Sequence, residues 1–169
     1  MKQSTDFKIG LEGVAMNNIT LPNSQAYSVG FVDSGTTFTY LPNKLYNDLE
    51  QAFKQFCAIS ADHCMGRQDK LCFSYSEHKF PEGPIEFFKS FPVLQFKIST
   101  GGEPYEFHWF PSEYLYRESE SKYCLAAESY YRGDEILMGG TFMRQHNFIF
   151  DVENNRLGLA HATCHEDPN

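Results

Sequence analysis

The apolar residues of this chain fall in short segments with a two-residue period, and turn-forming residues interrupt the segments. Residues 7–15 alternate apolar and polar, and residues 91–99 do so again, with Leu94, Phe96 and Ile98 on one face. Such alternation is typical of strands with one face on a core. The chain also contains 16 Phe and 10 Tyr. Because aromatic rings pack well on pleated sheets, these residues favour a sheet as well.

The same pattern predicts several further strands and one long helix. The predicted strands cover residues 27–32, 105–109, 123–128, 135–138, 148–151 and 157–160. The helical pattern covers residues 43–56, with Asn43 as the expected N-cap. Residues 58–90 are expected to form loops, interrupted by a break at residues 81–84. We therefore predict a mainly β fold with one longer helix.

Charge and hydropathy argue against nucleic-acid binding and against a membrane-spanning helix in this chain. The formal net charge is −8, and an acidic chain has little with which to neutralise phosphates, so no nucleic-acid partner is expected. The chain also lacks a run of about 18 apolar residues, the length needed to cross a membrane. A membrane anchor would therefore have to lie outside this segment.

The cysteines indicate disulfide bonds rather than a metal site. There are five, which is many for a cytosolic chain of this length: Cys57, Cys64, Cys72, Cys124 and Cys164. Zinc sites use closely spaced cysteine pairs, which these gaps do not provide, and the histidines show no metal spacing either. We expect no metal and no cofactor. An oxidising compartment fits better, and the glycosylation sequon that begins at Asn18 agrees with secretion.

The segment with the most chemical information is residues 31–37, Phe-Val-Asp-Ser-Gly-Thr-Thr. A carboxylate directly after a buried strand is costly unless donors bind it. Gly35 lets the backbone turn so that its amide can reach Asp33, and the hydroxyls of Ser34 and Thr36 stand close by. The alternative is a plain Asx-turn, in which Asp33 binds only its own backbone.

Three segments of the chain resemble pepsin-like aspartic proteases. Residues 31–37 resemble the active-site loop of that family. Residues 136–145 resemble the stretch in which a glycine lets a strand thread beside that loop, and residues 148–160 resemble the closing hairpin. Within the family the chain most resembles the plasmepsin V type, on residues 33–42, 111–124 and 162–166.

The resemblance implies that residues 1–169 are the C-terminal catalytic lobe of a two-lobed endopeptidase, built as a β-barrel with short helices beside the longer one. Asp33 would be one member of a pair of carboxylates that hydrolyses a peptide bond with water. The other member would lie in an N-terminal lobe that this chain lacks. The expected partners are that lobe and a peptide or protein substrate.

The family pattern also implies a role for each neighbour of Asp33. Gly35 would donate its amide to the carboxylate, and Thr36 would donate its hydroxyl to the outer oxygen. Ser34 would hydrogen-bond to the loop of the partner lobe, and Thr37 would line a substrate subsite. The strand that supports this loop would contain Leu137, Met138 and Gly139.

The same resemblance implies a disulfide between Cys72 and Cys124. Cys57 and Cys64 could close a local loop, which would leave Cys164 for a partner outside the chain. The expected location is the secretory pathway: the endoplasmic reticulum, a vacuole or lysosome, or the extracellular space. The plasmepsin V type would add a membrane tether outside this chain.

The sequence leaves three functional readings open. It contains no second Asp-Ser/Thr-Gly motif. Asp134 stands in a turn and Asp151 in the closing hairpin, where a structural role is expected. The chain is therefore expected to be inactive by itself and to be a fragment of a longer enzyme. Alternatively, two copies could pair their Asp33 residues as a homodimer. The third reading is a non-catalytic, protease-like module that binds a peptide or inhibits another enzyme.

Overall fold

The computed structural model describes residues 7–64, 71–130 and 133–162. Within them the chain is mainly β with one longer helix and two short ones, as predicted. The strands are β1 (Phe7–Met16), β2 (Ile19–Thr20), β3 (Val29–Val32), β4 (Thr39–Pro42), β5 (Cys72–Ser74), β6 (Leu94–Ile98), β7 (Tyr105–Trp109), β8 (Leu115–Ser119), β9 (Lys122–Leu125), β10 (Ala127–Tyr130), β11 (Ile136–Met138), β12 (His146–Asp151) and β13 (Arg156–His161). The α-helices are α1 (Asn43–Ile59), α2 (Pro84–Phe88) and α3 (Pro111–Tyr114), and a single 3₁₀ turn covers Ser24–Ala26. No helix of this part of the chain is long and apolar enough to cross a membrane.

The large sheet is organised around β1. Its strand order is β10-β4-β11-β3-β1-β6-β7, with β2 paired to β1. The N-terminal part of β1 pairs with β3 over Phe7–Gly10, and the rest pairs with β6 from Leu11 to Met16. A bulge between Leu11 and Gly13 falls at this change of partner. Since a bulge bends a strand, β1 can serve two neighbours.

The β6–β7 hairpin joins two predicted strands and carries much of the aromatic core. Leu94 lies opposite Trp109, and Phe96 lies opposite Phe107. All four side chains are almost completely buried. The ring of Phe142 stacks on that of Phe107 with centroids 4.2 Å apart. The alternation seen in the sequence thus reflects one face of this hairpin turned to the core.

Helix α1 lies where the pattern predicts it, but its N-cap is Pro42 and not Asn43. The apolar face packs inward as expected, with Leu45, Leu49 and Phe53 buried. The Asn43 side chain instead accepts a hydrogen bond from the Ser129 hydroxyl on β10. This tertiary contact uses the oxygen that would otherwise cap the helix.

Residues 58–90 contain more regular structure than the predicted loops. Strand β5 lies there, and Pro84 begins helix α2 instead of breaking the chain, because proline suits the first turn of a helix. The side chain of Phe87 on α2 is fully buried, and its ring lies 4.9 Å from that of Phe91. Aromatic packing, which has no period in the sequence, orders this region.

Both predicted disulfides are present. One joins Cys57 in the last turn of α1 to Cys64, and the other joins Cys72 on β5 to Cys124 on the paired strand β9. They attach the segment around β5 to the helix and to the β8–β9 pair. Cys164, for which a partner outside the chain was predicted, lies beyond the described residues.

Two strand predictions are corrected in the region before β11. Strand β8 was not predicted, and the strand predicted over 123–128 is divided into β9 and β10 at Ala126. The Ala126 N–H donates to the carbonyl oxygen of Tyr114, which lies on α3. The closing hairpin is confirmed, with β12 and β13 each slightly longer than predicted.

Strand β11 is inserted between two strands that are close in sequence. It pairs in parallel with β3, with Leu137 opposite Phe31 and Met138 opposite Val32. On its other side it pairs with β4 at Tyr40. The turn that joins β3 to β4 therefore lies directly at the end of β11.

Candidate active site

Asp33 is the first residue after β3, at the start of the turn formed by residues 33–37, here called the Asp33 turn. Its backbone N–H donates to the carbonyl oxygen of Met138 on β11 over 3.0 Å. The preceding Val32 is buried, whereas Asp33 is only partly buried. The strand pair thus anchors the backbone of Asp33 while its carboxylate remains accessible.

Two donors from the turn bind the Asp33 carboxylate, one on each oxygen. The Gly35 N–H donates to Oδ1 over 2.9 Å, and the Thr36 hydroxyl donates to Oδ2 over 2.6 Å. Bonds to the charged form favour that form. The Thr36 hydroxyl, followed by the Gly35 amide, therefore holds the pKa of Asp33 below its ordinary value.

The arrangement goes beyond a plain Asx-turn. An Asx-turn accounts for the Gly35 amide on Oδ1, since it joins a carboxylate to the backbone two residues on. It does not account for the Thr36 hydroxyl on the second oxygen. A Cβ on Gly35 would lie 3.1 Å from Oδ1, so a side chain there would press on the oxygen that the amide binds.

The residues after β11 pass directly against the Asp33 turn. A Cβ on Gly139 would lie 2.2 Å from the carbonyl oxygen of Phe38 and 2.6 Å from that of Thr36. The Gly140 N–H donates to the same Thr36 oxygen over 2.7 Å. Only a residue without a side chain fits at position 139, and this close passage supports the turn from outside.

Thr141 connects the turn to the aromatic core, and the sequence pattern did not single it out. Its N–H donates to the Thr37 carbonyl oxygen over 2.9 Å. Its own carbonyl accepts the indole N–H of Trp109 at 3.1 Å, and its hydroxyl donates to the Ala126 carbonyl at 3.3 Å. The only sequence signal for this role is its position directly after the two glycines.

The other residues predicted for the site lie on the turn or on β11. Ser34 and Thr37 are exposed next to the carboxylate. Met138 is fully buried and Leu137 is half-buried. The structure therefore brings the predicted set together, with Ser34 and Thr37 open to another molecule.

An aromatic pair that the sequence did not indicate borders the Asp33 turn. Phe38 follows the turn directly, and its ring centroid lies 4.9 Å from that of Tyr116 on β8. Both residues are half-buried. Because β8 itself was not predicted, the sequence offered no basis for placing Tyr116 here.

The other carboxylates singled out in the sequence do not join Asp33. Asp151 accepts hydrogen bonds from the Asn154 backbone and side chain in the β12–β13 turn, at 2.8–3.1 Å. Asp134 is exposed ahead of β11. Within the described ranges no cluster of His, Cys, Asp or Glu could hold a metal ion. A lone carboxylate can take a proton but cannot at the same time supply one, so acid–base chemistry at Asp33 needs a second group.

The chain matches a family model over nearly its whole length. The model described as xylanase inhibitor C-terminal covers residues 6–161. This range includes the Asp33 turn, β11 and the closing hairpin.

Known aspartic proteases are similar to the chain at modest identity. Aspartic proteinase 36 of Arabidopsis thaliana is 27% identical over 169 residues, which cover 94% of this chain and 32% of that protein. Plasmepsin V of Plasmodium falciparum is 25% identical, over 79% of this chain and 26% of that protein. Gastricsin of Cavia porcellus is 27% identical, over 95% and 36% respectively. The chain thus spans about a third of the length of these relatives or less.

Proposed function

Because this chain belongs to the xylanase inhibitor C-terminal family, the C-terminal lobe of pepsin-like aspartic proteases, we propose that it is one half of an aspartic endopeptidase. Asp33 is one of the two catalytic carboxylates in this proposal. The other belongs to an N-terminal lobe outside the 169 residues. In this proposal the lobe formed by residues 1–169 is active only when it is joined to the N-terminal lobe.

The observation that carries the proposal is the way in which Asp33 is held. Its carboxylate is accessible, and each oxygen already accepts one hydrogen bond, from Gly35 or from Thr36. The positions of both oxygens are therefore fixed before a substrate arrives. Such preorganisation is what a catalytic acid or base requires, because a misplaced group loses much of its effect.

The chemistry follows from placing a second carboxylate against this one, the dyad that the pepsin example illustrates. Two carboxylates at about 3 Å cannot both ionise easily, so they share one proton. The ionised member takes a proton from a water molecule, and the protonated member donates to the carbonyl oxygen of the peptide. Water attacks the peptide carbon directly, and no acyl-enzyme forms. The apparent pKa values then belong to the pair.

The exposed hydroxyls on either side of Gly35 have separate roles in this proposal. Ser34 hydrogen-bonds to the active-site loop of the N-terminal lobe and keeps the two carboxylates coplanar. Thr37 lines a subsite for the peptide, next to the apolar flank formed by Phe38 and Tyr116. The substrate is an extended peptide or protein segment. The two disulfides support a location in the secretory pathway.

The test is peptide cleavage by the full-length protein that contains this chain. Asp33→Asn keeps the shape and removes the ionisable group, and cleavage should fall by several orders of magnitude. Asp62→Asn is the matched control, because Asp62 is exposed in the turn after α1. Unchanged cleavage by the Asp33 variant would refute the proposal, whereas loss in both variants would show only that the protein is unstable.

A second candidate is a protease-like inhibitor, which the description of the matched family favours. Such a protein would bind an enzyme or a peptide without cleaving it. The bound carboxylate at Asp33 argues for the protease, because an inhibitor has no chemical need for it. If the remaining sequence of the full-length protein lacks a second hydrophobic-Asp-Ser/Thr-Gly motif, the inhibitor is favoured.

A further inference from the structure

Asn18 lies at the tip of a tight hairpin on the surface. The two residues between β1 and β2 are Asn17 and Asn18, with φ of 47° and 64°. Such left-handed pairs form the two-residue turns that suit a twisted hairpin, and asparagine adopts them readily. Residues 17–20 are all exposed, so the tip stands free of the core.

A buried glutamine on β6 determines how the Asn18 side chain is oriented. Gln95 is 5% exposed, and its Oε1 accepts the backbone N–H of Asn18 at 2.8 Å. A backbone N–H can only donate, so Gln95 must present its oxygen to it. The NH₂ group of Gln95 then needs an acceptor, and it donates to Oδ1 of Asn18 at 2.6 Å.

This pair of bonds leaves Nδ2 of Asn18 as the outward atom. Within the described residues no hydrogen bond from Nδ2 is found, and Asn18 itself is exposed. The nitrogen is therefore open to solvent. A group attached to it removes no hydrogen bond of the fold.

We propose that Asn18 carries an N-linked glycan. Asn18, Ile19 and Thr20 form an Asn-x-Ser/Thr acceptor, and it is the only one among the 169 residues. The donor is a lipid-pyrophosphate-linked oligosaccharide. A bond forms from Nδ2 to the first sugar carbon, Nδ2 loses one proton, and the carbon–oxygen bond to the pyrophosphate breaks. Two disulfides agree with passage through an oxidising compartment, where this transfer takes place.

Mass spectrometry of the full-length protein, secreted from a eukaryotic host, tests the proposal. Trypsin should release residues 9–44 as one peptide, which contains the acceptor. Enzymatic removal of N-glycans in heavy-oxygen water should convert Asn18 to aspartate with the heavy label. Spontaneous deamidation before this step adds no label, and the same peptide kept in heavy-oxygen water without the enzyme measures deamidation during it, so the excess label reports the glycan. An unlabelled peptide, from protein in which Cys72 and Cys124 are joined, overturns the proposal.

Variants at Thr20 separate the modification from the fold. Thr20→Ala removes the acceptor but leaves Asn18 and Gln95 unchanged, and the label should disappear. Thr20→Ser keeps the hydroxyl, and the label should persist. Persistence of the label in Thr20→Ala would overturn the assignment to Asn18. The melting temperature of the glycosylated protein should be at least that of the Thr20→Ala variant. A markedly lower melting temperature would contradict the conclusion that Nδ2 of Asn18 points to solvent.

Discussion

Gly139 lies so close to Phe38 that a Cβ at position 139 would stand 2.2 Å from the Phe38 carbonyl oxygen. The nearby atoms are backbone atoms, which cannot rotate aside as a side chain can. The residues after β11 and the Asp33 turn therefore share a surface that only glycine permits. This contact joins two segments that are far apart in the sequence.

The first prediction is that Gly139→Ala destabilises the protein. The added methyl group must displace the carbonyls of Thr36 and Phe38, and overpacking of this kind costs about 1–3 kcal/mol or more. The free energy of unfolding in denaturant measures the effect. Gly102→Ala is the control, because a Cβ at Gly102 meets nothing within 4 Å. Equal stability of the two variants would contradict the close contact.

The second prediction concerns the pKa of Asp33. The hydroxyl of Thr36 is the largest cause of its lowering, so Thr36→Val should raise this pKa towards 3.8, the ordinary value of an aspartate. Thr36→Ser keeps the hydroxyl and should keep the low pKa. The carboxyl carbon signal of Asp33 reports the change when residues 1–169 are titrated with acid and followed by NMR without the N-terminal lobe, so that no second carboxylate shares the proton. An identical titration of the valine and serine variants would contradict the assigned bond.

The hydrogen bond from the Thr36 hydroxyl to Asp33 also makes the stability of the protein depend on pH. The pKa of folded Asp33 is lower than that of the unfolded chain, so its contribution to stability is present above about 3.8. That contribution is lost as the pH falls through the folded pKa. Thr36→Val should make the loss smaller.

The elements that could be predicted are those whose determinants are local. The alternation of Leu94, Phe96 and Ile98 predicts β6 because the pleat alone sets this period. The contacts of Asp33 with Gly35 and Thr36 span at most three residues, and they too were expected from the sequence. The Asx-turn alternative remained open because the sequence does not disclose where the Thr36 hydroxyl points.

What the sequence did not disclose depends on residues that meet only in the fold. Asn43 was expected to cap α1, but Ser129, far along the chain, binds its side chain. The role of Thr141 rests on contacts with Thr37 and Trp109, which lie in separate segments. Helix α2 was missed because its main determinant is the burial of Phe87 among other aromatic rings.

The third prediction compares the two disulfides. Cys72–Cys124 closes a loop with a sequence separation of 52, and Cys57–Cys64 closes one of 7. In the chain-entropy model, their loss costs about 4 and about 2 kcal/mol respectively. The variants Cys72→Ala with Cys124→Ala, and Cys57→Ala with Cys64→Ala, should show this order in denaturant unfolding. The reverse order would contradict the model in which a disulfide stabilises the protein mainly by restricting the unfolded chain.

The last prediction is that Glu113 makes the protein less stable as the pH rises from about 4.5 to about 7. Its side chain is 2% exposed, and Oε2 accepts the N–H of Phe110 at 3.0 Å, at the start of α3. Burial raises the pKa of Glu113 to about 7, against the lowering by the Phe110 amide and by Arg144. The fold therefore favours the neutral form, and the free energy of unfolding is highest where the unfolded chain is also protonated.

Glu113→Gln isolates this effect, because glutamine can accept the Phe110 N–H but does not titrate. Relative to the parent, the variant should gain on the order of 1 kcal/mol between pH 4.5 and pH 7. This figure takes into account that water and Arg144 partly screen the buried charge of Glu113. Glu103→Gln, at an exposed position before β7, should show no such gain. Thermal unfolding of the three proteins across this pH range measures the difference. A constant difference between the parent and Glu113→Gln would mean that Glu113 binds protons equally in the folded and the unfolded protein, and so that burial does not raise its pKa.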